Sequence, residues 1–131
     1  MRLNNSISML GMAALVISGA LVGWGSAAGA GEADVVHAKA NKTGNNTYQF
    51  EVTVMHADSG WKHYANKWDV VGPAGKVFGK RILHHPHENE QPFTRSLGGV
   101  RIPVAVKQVT VRAYDSQHGL GGKTVTVVLP K

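Results

Sequence analysis

"TYQFEVTVMH", residues 47–56, alternates with period two: Tyr48, Phe50, Val52 and Val54 fall on one side and Gln49, Glu51 and Thr53 on the other. A strand pleats so that successive side chains leave opposite faces, so this stretch reads as a β-strand with one face in a core. "VKQVTVRAYD" (106–115) repeats the pattern through Val109, Val111 and Ala113, and "KTVTVVLP" (123–130) through Val125, Val127 and Leu129. No 3.6-residue period of comparable strength appears after residue 32. Shorter candidates separated by turn-forming clusters complete a set of seven strands, near 33–40, 47–56, 66–71, 76–84, 91–97, 107–115 and 123–129. The turns fall on "KTGNN" (42–46), "GPAG" (72–75), "GGVRIP" (98–103) and "HGLGG" (118–122). Seven short strands punctuated in this way indicate an all-β fold, an antiparallel two-sheet sandwich.

The amino terminus is of another kind. Between Arg2 and Glu32 there is no charge, and the run "ISMLGMAALVISGALVGWG" leads into "SAAGAG". A basic start, an apolar middle and Ala28-Gly29-Ala30 are the parts of a secretory signal peptide, cut after Ala30 or Ala28. An uncleaved anchor is the competing reading, since the run is long enough to cross a bilayer; its Gly and Ala content weakens it as a spanning helix. The expected organisation is a signal peptide at 1–30 and one sandwich domain at 31–131, periplasmic or secreted, with no membrane span after cleavage. The chain has no cysteine, so the domain rests on apolar packing and hydrogen bonds even where oxidation would permit disulfides. Its formal charge of +6 comes from dispersed Lys and Arg rather than from a basic run. Nucleic acid is therefore not an expected partner.

The domain resembles the immunoglobulin-like and fibronectin-like sandwiches of exported bacterial proteins. Trp68, 14 residues beyond Val54, stands where such domains carry a core tryptophan on the third strand, and "VTVRAYD" with "KTVTVVL" is similar to their closing hairpin. The resemblance implies an architecture, with no activity attached.

Six of the seven histidines lie in three connections: "HADSGWKHYA" (56–65), "HHPHENEQ" (84–91) and "DSQHGLGG" (115–122). If successive strands run up and down, those three connections emerge at one end of the sandwich, and the histidine-free turns at the other. Extending the inward series by one step turns His56 and Asp115 into the mouth of the core. His37, alone on the first strand, is an ordinary surface histidine, and Trp68 belongs to the core.

Imidazole and carboxylate are ligands for Cu(II) and Zn(II), and His85-x-His87 sets two imidazoles on one side of an extended segment. Soft Cu(I) favours sulfur ligands, of which Met55 is the single example after residue 12. The expected ligands are His56, His63, His85, His87, Asp115 and His118, holding Cu(II) or Zn(II) for carriage or homeostasis. The chemistry is similar to that of exported copper carriers of the CopC type. Asp58, Glu88 and Glu90 stand as ligands, outer partners or solvated charge. The alternative is a module that binds an envelope protein or small ligand through the same loops, with Trp61 and Tyr64 as contact residues; Phe93 also lies near the loops, but its strand position favours a cap on the core. There is no G-x-S-x-G, no cysteine nucleophile, no H-E-x-x-H and no phosphate-cradling loop, so the chain reads as a non-enzymatic protein.

Overall fold

A computed structural model describes residues 31–131; the signal-peptide reading of residues 1–30 lies outside them. The strands are β1 (Asp34–Gly44), β2 (Thr47–Met55), β3 (Ala65–Val71), β4 (Val77–Ile82), β5 (Phe93–Arg101), β6 (Gln108–Asp115) and β7 (Val125–Val128). They form two antiparallel sheets, β1-β2-β5 and β4-β3-β6-β7, packed as a sandwich. No helix among the described residues is long and apolar enough to cross a membrane.

The period-two stretches build the core between the sheets. Tyr48, Phe50, Val52 and Val54 of β2 are buried, facing Trp68 and Val70 of β3 and Val109, Val111 and Ala113 of β6. Trp68 and Phe50 are fully enclosed, as is Phe93, which caps the end of the core nearest the histidines. Val127 and Leu129 close the β7 edge.

Two local expectations are corrected. "KTGNN" is mostly strand: β1 continues to Gly44, and the reversal is confined to Asn45 and Asn46, the latter at φ 56°. Asparagine tolerates that left-handed conformation, so a two-residue turn suffices. "GGVRIP" is likewise no turn at its start, because β5 runs through to Arg101. Phe50 pairs with Leu97 and Tyr48 with Val100, so two residues, Gly98 and Gly99, oppose Gln49 alone. Gly99 has φ 65°. The glycine signal there marks a β-bulge, a feature that shares its backbone requirement with turns. The expected seven-strand, two-sheet sandwich divides its strands three and four. Here β4 pairs with β3, because the Gly72–Lys76 connection is a tight hairpin closed by Gly72 N–H to Lys76 O (2.8 Å) and Gly75 N–H to Gly72 O (2.9 Å).

Trp68→Ala is expected to cost about 3–5 kcal/mol in a denaturant melt, through lost burial and the cavity left behind. Val128→Ala, at a side chain 74 % exposed, should change stability by less than about 0.5 kcal/mol.

Candidate metal centre

The pleat carries past the strand ends as the alternation requires. His56 follows Val54 inward and Asp115 follows Ala113 inward, both 3 % exposed. The β2–β3, β4–β5 and β6–β7 connections meet around them. Loop seams fix the meeting: Ser116 N–H donates to Tyr64 O (2.9 Å), Tyr64 N–H to Ser116 Oγ (3.1 Å), and Ser116 Oγ–H to Lys62 O (3.2 Å).

Asp115 divides its two oxygens between two tasks. Oδ1 accepts from the main-chain N–H groups of Gln117 (2.8 Å) and His118, the local turn that aspartate commonly forms. Oδ2 faces three imidazoles: His118 Nδ1 at 3.0 Å, His56 Nε2 at 3.2 Å and His63 Nε2 at 3.5 Å. Ligand atoms of His56, His63 and Asp115 lie within 4.8 Å of one another. Two ligands each about 2.1 Å from one ion and about 90–109° apart are themselves roughly 3.0–3.4 Å apart. The His118 and His56 separations from Oδ2 fall in that range and the His63 separation is just beyond it. His63 Nε2 is buried without a hydrogen-bond partner among the described residues, which costs about 1–3 kcal/mol unless something coordinates it.

The tautomer of His56 follows from its second carboxylate. Its Nδ1 lies 2.6 Å from Asp58 Oδ1 in a fully buried contact, and a carboxylate accepts only, so Nδ1 carries the proton. Nε2 lies 3.0 Å from Gly31 O and 3.2 Å from Asp115 Oδ2, two acceptors that call for a cation between them and the ring, either a proton on Nε2 or a metal ion. A carboxylate behind a histidine, fixing which nitrogen is free, is the arrangement that orients imidazole ligands in metal proteins.

Asp58 also joins the "HHPH" loop to the centre. It accepts from Ala65 N–H on Oδ1 (2.9 Å) and from His87 N–H on Oδ2 (2.7 Å). Gln91 makes a second tie, accepting from His56 N–H (2.9 Å) and donating to His87 O (2.9 Å). The six residues expected as ligands are thus distributed unevenly. His56, His63 and Asp115 converge, and His118 sits at the mouth with its Nδ1 on Asp115. His85 and His87 pack together, ring centroids 4.8 Å apart, with His87 stacked on Phe93 at 4.0 Å. His87 Nδ1 stands 4.0 Å from Asp58 Oδ2, and neither of its ring nitrogens has a hydrogen-bond partner. Asp58 is the outer partner of His56, and Gln91 is a contributor that no residue-type rule singles out. His37 is exposed on β1, as expected.

Charge couples within the centre. Burial pushes the Asp115 carboxyl up, but the main-chain N–H and imidazole of His118 and the N–H of Gln117 together hold it below its ordinary value. The hydrogen bond to Asp115 raises His118, against partial desolvation. Burial, and then Arg95, lower His87 and favour its neutral ring. The His118 contact accordingly stabilises the metal-free fold below about pH 6.5 and is lost as pH rises through the raised value. The Asp115 contribution is present above about pH 4 and fades as pH falls through the lowered value.

No protein-family model matches this chain, and no solved structure matches it. A curated protein of the archaeon Halomicrobium mukohataei, described as "Putative lipoprotein", is 38 % identical over 96 residues, 73 % of this chain and 47 % of that protein. The chain spans about half the length of that relative.

In metal-free protein, an NMR titration should place the His118 midpoint above 6.5, and Asp115→Asn should return it toward that value; a wild-type midpoint at or below 6.5 contradicts the coupling. Asp58→Ala strands three buried N–H donors and should lower metal-free stability by about 1–3 kcal/mol for each donor that finds no water.

Proposed function

We propose that the domain is an exported carrier or buffer of a transition metal, binding Cu(II) or Zn(II) at His56, His63 and Asp115 with His118 at the mouth. One observation supports this above the others: a buried carboxylate oxygen and two buried imidazole nitrogens lie within 4.8 Å of one another, and one of those nitrogens, His63 Nε2, has no hydrogen-bond partner among the described residues. The donor set is nitrogen and oxygen. Met55, adjacent to His56 in sequence, is on the opposite face and 45 % exposed, so the centre has no thioether and favours the divalent ions over Cu(I). Export is supported by the amino-terminal run and by the name of the archaeal relative. Nothing in the reading requires catalysis: the site orients ligands, and its exposed edge at His118 is where an ion enters or leaves.

A second reading draws on Trp61, which is 66 % exposed at the same end and meets Tyr64 edge-to-face at 5.7 Å. Beside a metal centre, that pair is a contact surface for an envelope partner that supplies or receives the ion.

Titration of untagged, metal-free protein with Cu(II) and Zn(II) tests the proposal. Affinity should exceed that of free histidine and fall as pH drops below about 6.5, where imidazole takes up its proton. His63→Ala and Asp115→Ala should abolish tight binding, whereas Asp58→Ala should weaken it about 10–100-fold. The His85→Ala, His87→Ala double variant keeps the main-chain bond from residue 87 to Asp58, so its effect should stay below about tenfold. Wild-type protein that binds neither ion more tightly than free histidine would end this reading.

A further inference from the structure

The side chains leave one neighbour of the centre unexplained. Gly31 O lies 3.0 Å from His56 Nε2, the same spacing that the side-chain ligands keep. The contact is held in place. Val35 N–H donates to Lys123 O (2.9 Å), and Lys123 N–H donates to Asp34 Oδ1 (2.7 Å). These bonds tie the start of β1 to the β6–β7 loop. Gly121 and Gly122 of "HGLGGK" make that seat possible. A Cβ on Gly122 would fall 2.0 Å from Ala33 O, and one on Gly121 would meet Glu32 Cγ at 2.7 Å. The glycine pair is therefore a groove for residues 32–34, and Gly31 is the residue it delivers to His56. Gly31 is also the residue that follows Ala28-Gly29-Ala30, one of the two expected cleavage points.

We infer that Gly31 is a main-chain ligand of the same ion: cleavage after Ala30 frees its α-amino group, which with its carbonyl oxygen closes a five-membered chelate ring beside His56. This rests on the metal-binding proposal and extends it. The ring comprises the ion, N, Cα, C and O of one residue, so a carbonyl at ligand distance brings its own amine within reach. On binding, the ammonium form gives one proton to solvent and the neutral amine donates its lone pair; no redox change is involved. Signal cleavage thereby becomes a step in assembling the site, and the precursor is the weaker binder.

The test compares the chain starting at Gly31, which contains both sheets and the whole core, with the same chain starting at Ala30. Both are titrated with Cu(II) against a competing chelator, and the nitrogen couplings of bound Cu(II) are read by electron paramagnetic resonance. The Gly31 form should bind about tenfold or more tightly, since a donor fixed in the site acts at high effective concentration, and should show one more coordinated nitrogen. Gly122→Ala should bring the affinity of the Gly31 form down toward that of the unsubstituted Ala30 form. Mass spectrometry of protein from the exported fraction should begin at Gly31. Equal affinity and equal nitrogen count in the two forms would overturn the inference and leave Gly31 O as a hydrogen-bond acceptor from a charged His56. A native terminus other than Gly31 would also overturn it. If neither form binds, the metal proposal itself fails.

Discussion

A carboxylate removed from water must be compensated, and Asp115 is removed from water at the end of a core strand. Its side chain has no exposure, and its position is imposed by the pleat that buries Val109, Val111 and Ala113 ahead of it. Two main-chain N–H groups of its own turn satisfy Oδ1. Oδ2 is left facing two imidazoles of the β2–β3 connection, His56 and His63, and one of its own, His118, and much of the loop architecture at this end serves to bring those rings up to it. The cost of burying an unpaired charge is large enough that the neighbours of such an oxygen are constrained.

The second carboxylate, Asp58, works differently. It gathers three N–H donors, from His56, Ala65 and His87, and so fastens the turn after β2, the start of β3 and the β4–β5 loop to one point. By accepting the hydrogen bond of His56 Nδ1–H it also decides that Nε2 is the nitrogen that faces Asp115. Each aspartate thus has one role: Asp115 faces the centre, and Asp58 holds His56 from behind. The His85–His87–Phe93 stack lies beyond Asp58 and covers the end of the core, so the histidine-richest segment of the chain acts on the centre through a main-chain bond.

The glycines show how one residue type serves unrelated geometries. Gly99 supplies a left-handed backbone to a β-bulge, Gly75 closes the β3–β4 hairpin, and Gly122 has an ordinary backbone but no room for a Cβ against Ala33 O. In the sequence all three look like turn signals, and only the first two are backbone requirements. The third is a close approach between segments 89 residues apart, as the Lys123 bond to Asp34 records.

Local pattern by itself determined the all-β class, the seven strands, the inward faces of β2 and β6, and hence the burial of His56 and Asp115, because side-chain direction in a strand is fixed by a two-residue period. It also brought six histidines to one end, since alternating strand direction decides where odd and even connections emerge. Tertiary structure alone decided which of those histidines share an ion-sized space. A loop has no period, so the reach of His63 and the withdrawal of His85 and His87 depend on hydrogen bonds to Ser116, Asp58 and Gln91 that cross between connections. The pairing of β4 with β3, the bulge at Gly98–Gly99 and the seating of Gly31 against His56 are of the same kind. Each is set by contacts between residues distant along the chain, and no local pattern encodes them.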